Sequence, residues 1–156
     1  MKKVCALILM LTLMLAAVSG CGKTDIITTA SPEEIVLLLD ISGISEPVYA
    51  AEIEYSLNGK TIGDYGCCNA NGSALRKYVR FALTEDELPE NTAAENLSFN
   101  VMLYGDKESL NGGSSSAGKI NKTGESAAFD PSYGRIYRFT LNGNFEDGFT
   151  FEGTKR

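Results

Sequence analysis

Two adjacent thiols, Cys67 and Cys68, and two carboxylates one residue apart, Glu52 and Glu54, are the side chains of this sequence whose spacing could do chemistry. Vicinal thiolates could hold a soft metal or cycle as a strained disulfide. That ring would be hard to close, because ordinary disulfide geometry asks for Cα atoms about 5.5–6 Å apart. Glutamates at i and i+2 of a strand stand about 7 Å apart on one face, a separation that suits the acid pair of a glycan hydrolase. Charged residues alternating with a core are otherwise the solvated side of a sheet. Gly113-Ser114-Ser115-Ser116-Ala117-Gly118-Lys119 satisfies G-x-x-x-x-G-K, the cradle of a phosphate loop. Ile120 follows where a hydroxyl should hold magnesium, so the stretch reads as a Ser/Gly loop between strands. Asn69-Ala70-Asn71-Gly72-Ser73 has the look of part of a calcium loop. With only Asp64 nearby it falls short of the roughly six to eight oxygens calcium takes, and turn chemistry explains it better. Tyr65, Tyr78 and Tyr104 could stack on sugars or meet a peptide, or simply cover sheet surface.

The chain contains no histidine. That removes Ser-His-Asp and Cys-His catalysis, imidazole zinc sites and histidine-based pH switching. No catalytic residue, metal or cofactor is assigned. With 20 acidic side chains against 14 basic ones, the surface also lacks the basic face that nucleic acid demands.

The elements that must position these groups read as strands. Apolar residues recur at every second place in Tyr49–Leu57, Val79–Leu83, Leu97–Leu103 and Tyr137–Leu141, the period of a half-buried strand. Phe145, Phe149 and Phe151 extend the pattern. Asn58-Gly59 and Asn142-Gly143 lie between such runs and supply the positive φ of tight hairpins. Residues 31–41 are ambiguous: Ser31-Pro32-Glu33-Glu34 looks like a capped helix start, whereas Ile35–Ile41 is a branched apolar run. In a chain otherwise made of strands, the run is read as the first strand. Thr84–Leu88, before Pro89, is a candidate for one helical turn capped by Thr84. Six or seven strands separated by turn signals predict an all-β fold, a single antiparallel β-sandwich of immunoglobulin-like architecture over residues 31–156.

Ahead of this domain, Lys2 and Lys3 precede an apolar run from Val4 to Val18, the layout of a secretory signal helix. At about fifteen residues the run is short for a permanent transmembrane helix. It ends in Val18-Ser19-Gly20-Cys21, which resembles the bacterial lipobox. The resemblance implies removal of residues 1–20, a diacylglyceryl group on the Cys21 sulfur, palmitate-type acyl chains as membrane anchor, and a lipidated tether over residues 21–30. Small residues beside a nucleophilic thiolate fit that chemistry. Two or more acyl chains, at about 0.8 kcal/mol per buried methylene, hold a domain at a bilayer. Cys5 would leave with the signal and Cys21 would carry lipid, so packing alone would stabilise the domain.

The order of elements also resembles a set of uncharacterised bacterial lipoproteins, through Glu54–Gly59, Asn69–Leu75, Leu97-Ser98-Phe99 and Tyr133–Thr140. It implies a β-sandwich lipoprotein and carries over no catalytic residue. The expectation is a lipoprotein on the extracytoplasmic side of the cell membrane, acting as a non-catalytic binding or structural module. Its partners would be the bilayer, through the anchor, and a protein or cell-wall glycan. Alternatives are thiol or soft-metal handling at Cys67-Cys68 and a carboxylate-dependent glycan hydrolase at Glu52 and Glu54.

Overall fold

The computed structural model describes residues 29–88, 96–107 and 120–155. The signal segment, with Val18, Ser19, Gly20 and Cys21, and the loop Gly113–Lys119 lie outside the described residues. Eight strands follow one another: β1 (Glu34–Asp40), β2 (Ala50–Leu57), β3 (Lys60–Cys68), β4 (Tyr78–Thr84), β5 (Leu97–Tyr104), β6 (Ile120–Lys122), β7 (Arg135–Asn144) and β8 (Gly148–Lys155). They form two four-stranded sheets, ordered β4-β1-β7-β8 and β3-β2-β5-β6, with no helix among the described residues. The fold is all-β, and two sheets sharing one hydrophobic core are consistent with a β-sandwich. One departure from the antiparallel expectation is the central pair of the first sheet: β1 runs parallel to β7, with Ile35 opposite Arg135 and Leu39 opposite Phe139.

The alternating residues supply the core. Leu97, Phe99, Val101 and Leu103 of β5 are buried, as are Tyr137, Phe139 and Leu141 of β7 and Val79, Phe81 and Leu83 of β4 in the opposite sheet. Phe99 bridges the sheets, its ring 4.6 Å from Phe139 and 5.2 Å from Phe151, both edge to face. Such pairs add about 0.5–1.5 kcal/mol to the area they bury. In β1 the burial does not alternate, since Val36 and Leu38 on the outer face are as buried as Ile35, Leu37 and Leu39 on the inner one. A strand covered on both sides is a continuous apolar run, which explains its ambiguity in sequence. The Ser31–Glu34 box does form: Glu34 N–H donates to the Ser31 carbonyl at 3.0 Å and Ser31 N–H donates to the Glu34 carboxylate at 3.3 Å. It closes a turn, and pairing of β1 with both β4 and β7 then outcompetes a helix.

At Thr84–Leu88 no helical turn forms: Thr84 ends β4, its N–H donates to the Glu87 carboxylate at 2.8 Å, and the chain makes only a turn. Asn58 and Gly59, at φ of 50° and 77°, make the β2–β3 hairpin. The hairpin expected at Asn142-Gly143 is displaced. Both residues remain inside β7, Gly143 opposite Phe149, and the chain reverses at Phe145–Asp147. Asn144 explains the shift, because its Oδ1 accepts the N–H groups of both Glu146 and Asp147 at 2.8 and 2.7 Å. This side-chain turn sets the reversal three residues later than Asn-Gly would.

Candidate functional site

The outer face of the β3-β2-β5-β6 sheet gathers most of the reactive side chains that the sequence singles out. The register places Glu52 opposite Gly66 and Met102, and Glu54 opposite Asp64 and Asn100. Paired residues share a face, so these groups stand together on the side away from the core. Lys122 joins them from β6, opposite Met102. Its ammonium reaches Glu54 at 3.1 Å, and the Asn100 amide donates to the same carboxylate oxygen at 3.1 Å. Asn100 first, then Lys122, hold the Glu54 carboxyl below its ordinary range. Glu54 is therefore a fixed anionic acceptor near neutral pH, with no proton to give a leaving group.

Tyr104 stands at one end of this face. Its hydroxyl donates toward Glu52 at 2.9 Å and lies 3.2 Å from the sulfur of Met102, two residues back along its own strand. The ring is thereby laid along the sheet instead of standing off it. Burial, then the hydrogen bond to Glu52, push the Tyr104 phenol up, so it stays protonated and donating.

At the other end the face opens into a shallow cleft. β6 ends after three residues, yet the chain continues beside β5 without regular pairing. The Val101 N–H donates to Thr123 Oγ1 at 2.9 Å, and the Phe99 N–H donates to Ser126 Oγ at 3.1 Å. The Thr123 and Ser126 N–H groups donate back to the Val101 and Phe99 carbonyls at 2.8 Å each. Two hydroxyls thus stand in for the carbonyl acceptors of a ladder, and both residues are buried. Gly124 and Glu125 between them are free to bow outward, and Glu125 turns its carboxylate onto the Ser98 hydroxyl. The resulting open cleft of about 510 Å³ is lined by Asn58, Asn96, Ser98, Glu125 and Ser126. Neither Thr123 nor Ser126 stood out in the sequence, because a hydroxyl's partner is a backbone group far along the chain.

The thiols are separated by the pleat. Cys67 points into the core, 7 % exposed, while Cys68 points outward, exposed, with a free thiol. The two are therefore not joined to each other, and they do not form a dithiol site. No group of three or more metal-ligating side chains occurs among the described residues. Asn69–Ser73 is a turn: the Asn69 amide donates to the Ser73 and Ala74 carbonyls, and Asn71 Oδ1 accepts from Ser73 N–H and Oγ–H. Of the other tyrosines, Tyr65 rests edge-on against Phe81 at the sheet margin and Tyr78 lies under the Lys77 ammonium. Neither joins the polar face. No family model, curated protein or solved structure matches the chain.

Proposed function

We propose that the protein is an extracytoplasmic lipoprotein, anchored in the cell membrane by acyl chains on Cys21, whose immunoglobulin-like β-sandwich is a non-catalytic binding or structural module. The observation that carries this reading is Val18-Ser19-Gly20-Cys21 at the end of a basic-then-apolar leader. Supporting it, β1 begins at Glu34, thirteen positions beyond the lipid-accepting cysteine, which leaves room for a short tether and nothing more. Display is the mechanism: the chains hold the module near the bilayer, and an exposed face or loop meets the partner.

A glycan hydrolase needs one of its two acids protonated at working pH, and Asn100 with Lys122 holds Glu54 ionised, so Glu54 is not that acid. The role would fall to Glu52, whose carboxylate instead accepts from the Tyr104 hydroxyl. Thiol or soft-metal handling is disfavoured by the opposite directions of Cys67 and Cys68.

The test is the intact mass of the full chain produced in a bacterial host with lipoprotein-processing enzymes. The expected product lacks residues 1–20 and carries diacylglyceryl mass on Cys21, and Cys21→Ser abolishes both changes. A chain whose Cys21 is unmodified or lies in a disulfide, or a Cys21→Ser variant that still partitions into detergent like wild type, overturns the reading.

A further inference from the structure

We infer that the outer face of the β3-β2-β5-β6 sheet binds a neutral glycan chain, laid along β2 and β5 from the Tyr104 ring down to the cleft at Ser98 and Glu125. This deepens the reading of the domain as a binding module and rests on it.

The first support is the alternation of hydrogen-bonding character along the face. Carboxylate acceptors (Glu52, Glu54, Glu125) are interleaved with amide and ammonium donors (Asn100, Lys122). A sugar hydroxyl donates one hydrogen bond and accepts others, so it is satisfied by such a mixture. A cationic peptide would want acceptors alone, and a nucleic acid would be repelled by them. The second support is Tyr104. A ring laid along a sheet by its own hydroxyl bond offers a flat, half-buried platform, the complement of the apolar face of a pyranose. The third is shape. From the Tyr104–Ala50 pair to the Ser98–Ser56 pair the ladder advances six residues, about 20 Å at the rise of a strand. Gly66 leaves open space beside Glu52, where a side chain would interrupt the surface. The cleft then receives the end of the chain between Asn58, Asn96 and Glu125. A protein partner would instead look for an apolar centre. Ile120, at the margin beside Tyr104, is the one large aliphatic residue exposed among the described residues.

The experiment titrates the full chain in detergent with hexasaccharides of β-linked glucose, β-linked N-acetylglucosamine and α-linked mannose, and in parallel with hexalysine, following tyrosine fluorescence and heat. Binding of at least one hexasaccharide is expected, weaker for the matching trisaccharide, with no binding of hexalysine. Tyr104→Ala and Glu54→Gln should each weaken it by about tenfold or more, the loss of a stacking or charged hydrogen-bonding group. Tyr104→Phe, which keeps the ring, should lose less than Tyr104→Ala. Thr150→Ala, at an exposed position on the other sheet, should change nothing. Should Tyr104→Ala fail to fold, the exposed Glu54→Gln still decides. Absence of hexasaccharide binding, hexalysine binding in its place, or affinity indifferent to both substitutions overturns the inference. Acyl mass on Cys21 is read separately, so a failure here and a failure of the lipoprotein reading are distinguishable.

Discussion

Replacing Thr123 by Val tests the hydroxyl-for-carbonyl substitution that lets the chain bow away from β5. Valine keeps the shape and the branch at Cβ but removes the oxygen that accepts the Val101 N–H at 2.9 Å. Thr123 and Val101 are both buried, so water is not at hand to take over. A buried donor left alone costs about 1–3 kcal/mol. Ser126→Ala should cost a similar amount by orphaning the Phe99 N–H. The two amides lie two residues apart on β5, close enough for the double variant to depart from additivity by about 0.5 kcal/mol or more. Against a total stability of about 5–15 kcal/mol these are large losses. Urea denaturation should show a lower midpoint at unchanged slope for each variant. Amide hydrogen exchange should accelerate at Val101 in Thr123→Val and at Phe99 in Ser126→Ala. If Thr123→Val costs less than about 0.5 kcal/mol and Val101 keeps its protection, the hydroxyl is not the acceptor that holds this edge.

Three further outcomes follow from the packing and the charges. Glu54 should titrate below its ordinary value in a carboxyl-resolved NMR titration, and Asn100→Ala and Lys122→Met should each raise it. Because its folded value is depressed, its contribution to stability is present above the ordinary pKa and is lost as pH falls through the folded one. Gly63→Ala should destabilise by about 1–3 kcal/mol in thermal or urea unfolding, since a new Cβ would sit against the ring and hydroxyl of the buried Tyr55. Phe99→Ala, which removes the ring joining both sheets, should cost about 3–5 kcal/mol by the same assays.

The parts of this fold that could be read from the sequence are those where one face is buried and the other is wet. Leu97, Phe99, Val101 and Leu103 alternate with Ser98, Asn100 and Met102 because the strand repeats every two residues, and that pattern needs no knowledge of the partner. β1 resisted because its two faces are equally buried, and β3 because its edge position leaves it few apolar residues to alternate. The turn after β7 was misplaced since Asn142-Gly143 and Asn144 both favour reversal, and only the pairing of Gly143 with Phe149 decides between them. Glu52, Glu54 and Tyr104 could be named from alternation alone. Their assembly with Lys122 and Glu125 could not, because those residues arrive from well beyond β5 and their register is set by backbone pairing.

The parallel pairing of β1 with β7 governs when the molecule can exist. Ile35 finds Arg135, and Asp40 finds Thr140, each a hundred positions further along the chain. β1 lies second in its sheet, so without β7 its second edge has no strand and the core it shares with Phe139 stays open. Contacts this distant in sequence form late and slowly. Every strand of the second sheet precedes β7 in the chain, so that sheet can assemble while the first is still limited to the β1–β4 pair. The first sheet, and with it the shared core, is the last part of the molecule to close.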